Sequence, residues 1–437
     1  MAGRDNMRLG YLLWMFLRNY LKLCCLIVLF TIITSDRSFA EQGKTDIPGA
    51  ARVVLVKAGK LMNDKNFAGA IALLGDFQAQ APSEKAGEKD KKGCLHAEVY
   101  QALGTCYLFD NKFRQAANAF ECALQKDPNL LAAKLNLANS YYELHEYSKA
   151  AQCFAQAYEL APDKNPEYLY FSAVAHLLAK QNDKSITVFE RLLAAHAIDF
   201  LPEWREYLVH ALIAADKHHR ALPHIRNLGE VYSGEKQMQW QEILLHQYLQ
   251  LNMEKEALGL ANRLIGQDPT EPRWWRALVH IHLQQNRYQP ALTGLLVAGF
   301  LDPLSEQEVQ LVADLYLHLG VPQKAALLYE TILNDKKSPR ILTNLVIALQ
   351  QMDQAEHALA TLEKFQEESM SPKMAMLKAD LLYTSGNYKD AARYYHITAE
   401  SGEGKQQDRA RQMAEYAKLQ ATHEQDKMSR RRATTIF

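Results

Sequence analysis

Imidazole, carboxylate and guanidinium groups recur in this chain at a spacing that could set them on one surface. His210, His246 and His280 lie 36 and 34 residues apart. Each is preceded at −4 and −7 by a polar pair: Glu206 and Glu203, Glu242 and Gln239, Arg276 and Arg273. Asp314, with Gln310 and Gln307 before it, continues the series. Offsets of four and seven share one face of a helix, so each set would project from one side. Imidazole changes charge near neutral pH, which would make such a strip pH-sensitive. A simpler reading is preferred: the slot tolerates polar side chains, and three of fifteen histidines coincide there. The change from acidic through basic to mainly amide pairs suits a groove for an extended peptide of mixed charge.

Nothing else in the chain arranges groups for catalysis. HExxH, a P-loop, GxGxxG and GxSxG are all missing, and no CxxC pair offers a zinc site. His218-His219 falls near an expected turn, and Glu367-Glu368 reads as a solvated helix surface. The expectation is a protein that is not an enzyme and that has no catalytic residue, metal or cofactor.

The elements that would carry these side chains follow a repeat. Tyr100, Leu103-Gly104, Tyr107, Ala116, Phe120, Ala123 and Pro128 stand at positions 4, 7, 8, 11, 20, 24, 27 and 32 of a unit beginning at Ala97. Leu137, Ala138, Tyr141, Ala150, Phe154, Ala157 and Pro162 fill the same slots from Leu131. This pattern resembles the 34-residue tetratricopeptide repeat (TPR) at every signature position. The register continues with small slips, giving about ten units that start at 51, 97, 131, 166, 202, 238, 272, 306, 339 and 372.

Each unit is expected to be two antiparallel helices, A and B. Small residues at 8, 20 and 27 admit close helix contact, aromatics at 11 and 24 fill between hairpins, and the proline ends helix B. One hairpin cannot bury its apolar face alone, so the units must stack. The predicted fold is all-α: a right-handed α-solenoid of about ten TPR-like hairpins with a C-terminal capping helix. In boundaries this reads as a signal peptide (1–40), a short linker (41–50) and a divergent first unit (51–82). A charged loop (83–96), the solenoid (97–400), the capping helix (401–428) and a flexible tail (429–437) follow. Arg430-Arg431-Arg432 on that tail reads as solvated.

The resemblance implies that helix A lines a concave face through positions 2, 5, 9, 12 and 13. Those slots hold the polar sets above, while Phe109, Leu135, Tyr142 and Tyr170 make the N-terminal part more apolar. Asn139 occupies position 9 of its unit, as in chaperone-binding TPR proteins, but the lysines of that subfamily are not in place, and its carboxylate specificity is not carried over.

Composition supports helices and excludes some partners. Gly (20) and Pro (14) are sparse, and 50 basic residues balance 50 acidic ones, so no global field argues for nucleic acid. Arg4, Arg8, Arg18 and Lys22 precede the apolar run Leu23 to Thr34, and Ser38-Phe39-Ala40 supplies small residues at −3 and −1. These are the parts of a secretory signal cleaved after Ala40, the alternative being an uncleaved N-terminal anchor. Export to the periplasm is expected, or anchoring in the inner membrane facing it, with membrane contact only through this segment. Of the four cysteines beyond it, Cys106, Cys122 and Cys153 read as core residues. Cys94, in the loop, is the best placed for a disulfide.

A narrower likeness covers roughly residues 270 to 400. Trp274-Trp275, Ala277-Leu278, Gly299, Leu311 to Gly320 and Gly320-Val321-Pro322-Gln323-Lys324-Ala325-Ala326 resemble the C-terminal half of exported bacterial TPR proteins associated with TonB, ExbB and ExbD. The likeness implies envelope proteins or extended peptides as partners, TonB-system components among them. The alternative is an assembly factor for a pilus, secretion or exopolysaccharide machine.

Overall fold

The computed structural model describes residues 47–82, 90–335, 338–364 and 371–435, with the side chains of 335 and 428–435 excepted. The expected signal peptide, most of the linker and residues 83–89 of the charged loop lie outside the described residues. Among those described, every regular element is a helix, and none is long and apolar enough to cross a membrane.

The chain divides into two compact units, residues 1–217 and 218–437. The first holds α1 (Gly49–Asn63), α2 (Phe67–Gln78), α3 (Ala97–Phe109), α4 (Phe113–Lys126), α5 (Leu131–Glu143), α6 (Tyr147–Leu160), α7 (Pro166–Leu178), α8 (Asn182–Ala195) and α9 (Pro202–Ala214). The second holds α10 (His218–Val231), α11 (Gly234–Gln250), α12 (Glu254–Gln267), α13 (Pro272–Gln284), α14 (Tyr288–Leu301), α15 (Glu306–His318) and α16 (Pro322–Asp335). It continues with α17 (Pro339–Gln351), α18 (Ala355–Lys364), α19 (Pro372–Thr384), α20 (Tyr388–Ser401) and α21 (Gly404–Thr435). Helices stack in tandem hairpins in each unit, the solenoid that the repeat predicts.

Backbone geometry fixes the register independently of the aromatic signature. Position 15 of every repeat adopts a positive φ: Lys65, Asn111, His145, Lys180, Asp216, Asn252, Asn286, Gly320, Asp353 and Gly386. At each, helix A ends in a Schellman turn. In the repeat at 97, the Lys112 N–H donates to the Tyr107 carbonyl and the Asn111 N–H to that of Leu108. The turn closes the orphaned carbonyls of helix A and reverses the chain within three residues. Proline then opens α7, α9, α13, α17 and α19 at a position where no N–H is needed.

Packing follows the small residues. Position 20 is fully buried in all ten repeats, as alanine everywhere except Ser185. That serine satisfies its hydroxyl by donating to the Ala173 carbonyl at 2.8 Å. Gly104 shows the closeness required: a Cβ there would sit 2.7 Å from the Phe120 ring. The fully buried Phe120, Phe189, Tyr329 and Tyr395 fill the space between hairpins, and each such ring stabilises by about 1.5–3 kcal/mol.

Several boundaries and placements differ from expectation. Helix α1 begins at Gly49, ahead of the expected 51, and α11 begins at Gly234, so an added turn absorbs the long spacing before 238. Helix α21 runs to Thr435, past 428, and caps the array by burying Ala410, Ala414 and Ala417 against Ala379 and Tyr395. Leu135 and Tyr170 are core residues, not groove residues. Tyr170 stacks on Trp204 at 5.2 Å and meets Tyr207 at 5.8 Å, because an aromatic body here buries more area than a groove would allow. All four described cysteines are free thiols. Cys94 is buried beside Ala51, Ala58 and Leu74, and Asp90 closes its loop by accepting from the Gly93 and Leu95 N–H groups. Burial pushes the Cys106 and Cys153 thiols up to about 11, which keeps both protonated.

Candidate protein-binding site

The sequence-derived residues of the second unit fall on three successive A helices, α11, α13 and α15. Gln239, Glu242 and His246 on α11 are exposed, as are His280 on α13 and Gln307 on α15. Arg273, Arg276, Gln310 and Asp314 are half-buried.

The charges of Arg273, Arg276 and Asp314 are met by partners on neighbouring elements. Arg273 on α13 grips Glu235 on α11 with both terminal nitrogens, at 2.9 and 2.8 Å. Arg276 reaches Glu308 on α15 at 2.7 Å and Asp302, beyond the end of α14, at 2.8 Å. Asp314 accepts from the Tyr329 hydroxyl at 2.6 Å and from Asn344 on α17 at 3.0 Å, with Arg340 at 3.3 Å. Burial alone would raise the Glu308 carboxyl. The Ser305 backbone N–H, the Arg276 guanidinium and the Ser305 hydroxyl outweigh it and hold that carboxyl below the usual range. Ser305 and Glu308 also form the capping box of α15, which fixes where the acid stands. The result is a belt of charge pairs joining one A helix to the next, with exposed amide, carboxylate and imidazole side chains beside it. Such a belt orients donors and acceptors before a ligand arrives.

The first unit holds the remaining candidates. Glu203, Glu206 and His210 are half-buried on α9. His210 does not match the two exposed histidines. Part of its surface reaches solvent, but packing encloses the ring and burial pushes the imidazole down to about 4. A ring so enclosed keeps its neutral form well below pH 6. Phe109 and Tyr142 are half-buried too, stacked on Phe67 at 5.4 Å and set edge-on to Tyr147 at 5.4 Å.

Two features escaped sequence reasoning. The belt pairs residues 26 to 38 apart, such as Arg276 with Asp302 and Arg273 with Glu235, which no local pattern reveals. The second is an apolar pair on the outer side of α14, Leu296 (43 % exposed) and Phe300 (90 % exposed). The same slots hold Asn262 and Gly266 in α12 and His396 and Glu400 in α20. The signal was available, because α14 carries no charged residue at all. Among the described residues, no three His, Cys, Asp or Glu side chains converge to hold a metal.

The tetratricopeptide-repeat family model matches residues 102–164 and 135–198. No curated protein matches the chain. Among solved structures, a tetratricopeptide repeat protein from Parabacteroides merdae is 13 % identical, with 58 % of this chain and 98 % of that one covered and a TM-score of 0.34. The Naa15/Naa10 structure bound to HypK is 16 % identical, covering 82 % of this chain and 59 % of that one, at a TM-score of 0.40. Yeast Tom70 is 12 % identical, covering 85 % and 96 %, at 0.31. Tetratricopeptide repeats of this kind are typically non-catalytic scaffolds for protein–protein contacts.

Proposed function

We propose that this chain is a non-enzymatic scaffold of the cell envelope that holds an extended, mixed-charge peptide segment along the A helices of its second unit. The observation that supports it most is the strip on α11, α13 and α15. There Gln239, Glu242, His246 and His280 stand in solvent beside Arg273 and Arg276, whose guanidinium groups neighbouring carboxylates already fix. A ligand meeting that strip orders few side chains, which lowers the entropic cost of binding.

The envelope location rests on residues 1–40, whose basic flank, apolar run and small residues fit an export signal or an anchor. The likeness of residues 270 to 400 to TonB-associated proteins favours a periplasmic accessory of an energy-transduction complex. In-cell crosslinking of a tagged copy, with mass spectrometry of what co-purifies from the envelope, tests both parts. Recovery of ExbB-, ExbD- or TonB-like proteins, weakened by an Arg273→Glu, His280→Glu copy, supports the reading. Recovery of a pilus, secretion or polysaccharide machine keeps the scaffold and removes the TonB assignment. Recovery unaffected by the double substitution moves the site off this face.

A further inference from the structure

Helix α1 opens the array, and its outer side carries a pattern that solvent alone does not explain. Its fifteen residues include Arg52, Lys57 and Lys60 and no carboxylate. The inner side is committed to the core: Ala51 and Ala58 are fully buried, and Val54, Leu55, Leu61 and Met62 pack on the same cluster. The outer side presents Arg52, Val53, Val56, Lys57 and Lys60, all exposed. Arg52, Val56 and Lys60 form one i, i+4 row, and Val53 and Lys57 form the row beside it. The two valines are 56 % and 58 % exposed. A terminal repeat needs a polar outer face to stay in water, and an adjacent valine pair works against that.

We propose that this face docks on an anionic membrane surface, with Val53 and Val56 entering the interface and Arg52, Lys57 and Lys60 meeting lipid phosphates. The charge argues for a bilayer over a second copy, because two such basic faces brought together would repel. Chain position argues the same way where the N-terminal run stays as an uncleaved anchor: only 14 residues separate Thr34 from Gly49, which keeps α1 within about 50 Å of the membrane. The balanced charge of the whole chain conceals this local excess.

The test uses the full chain and no labelled variant. Lysines are acylated in the presence of neutral phosphatidylcholine vesicles, or of vesicles about one-third phosphatidylglycerol, and read by mass spectrometry. Labelling of Lys57 and Lys60 is expected to fall several-fold on the anionic vesicles only and to recover at high salt. Exposed Lys389 on α20 serves as the unchanged reference. Arg52→Gln is expected to weaken the protection roughly five-fold, and Val53→Asn with Val56→Asn to weaken it further. All three positions are exposed, so the fold is retained. Equal labelling on both vesicle types overturns the proposal. So does protection that grows with protein concentration in the absence of vesicles, which would assign the face to a second copy.

Discussion

The hydroxyl of Tyr329 donates to the Asp314 carboxylate at 2.6 Å, and two repeats later Tyr395 donates to Asp380 at the same distance. In both, position 24 of helix B reaches back to position 9 of helix A and staples the hairpin from inside. An arginine from the following helix approaches each acid, Arg340 at 3.3 Å and Arg409 at 3.7 Å. Both rings are fully buried, so their hydroxyls need a partner within the chain. Burial and the accepting carboxylate together push both phenols above the ordinary tyrosine range.

Removing that hydroxyl and removing its acceptor have unequal costs. Tyr329→Phe leaves Asp314 with Asn344 and Arg340 and is expected to lose about 1 kcal/mol. Asp314→Ala strands the phenol in the core and is expected to lose about 2–3 kcal/mol. Denaturant unfolding of both single variants and the double variant gives the coupling directly. A coupling near zero would show that the staple does not hold the hairpin.

Ala150 tests the repeat register itself. It is fully buried at position 20, in the cluster that also contains Leu137, Ala138 and Phe154. Ala150→Leu inserts three heavy atoms where two helices meet and is expected to destabilise by about 1–3 kcal/mol. A melting temperature equal to the parent's would contradict the close contact assigned there.

The left-handed position 15 predicts stabilising changes. Lys180 sits at φ 58 and Gly386 at φ 81. A side chain with a Cβ in this region is strained by roughly 1–2 kcal/mol, partly offset by the lower unfolded-state entropy of a non-glycine residue. Lys180→Gly is therefore expected to stabilise by about 0.5–1 kcal/mol. Gly386→Val is expected to destabilise by more than that. Asn111→Gly should change little, because asparagine tolerates the conformation. Thermal melts of the three variants rank them, and any other order would contradict the strain argument.

That same position marks how far the sequence could be read. Hairpin number, register and the small residues at position 20 were legible, because one packing solution repeats and each repeat restates it. Position 15 was legible only in part, as a run of Asn, Asp and Gly interrupted by Lys and His, and lysine does not mark a left-handed turn by type. The candidate face was only half legible. Offsets of four and seven put Arg273, Arg276 and Asp314 on one side of their helices. The partners that hold them, Glu235, Glu308 and Tyr329, are set by how helices meet in space. Tyr170 and Leu135 went to the core for the same reason, since the faces of helix A divide by neighbour and not by spacing.

His210 predicts a pH dependence whose sign can be worked out. Its folded-state pKa is about 4, against an ordinary value near 6.5. Between these values the unfolded chain binds the proton and the folded chain does not. Stability is then at its full value above about pH 6.5 and declines as pH falls toward 4. The loss attributable to this ring is on the order of 1–3 kcal/mol. Carboxylates protonate over the lower half of that range, and His176 on α7 is also held low by burial, so both add to the slope in the parent. They add equally in a His210→Gln variant, and the difference between the two proteins isolates His210. Urea midpoints measured from pH 7.5 to 4.5 are expected to fall more steeply for the parent than for the variant. Parallel curves would mean that the ring is open to water and that its burial does not set its charge.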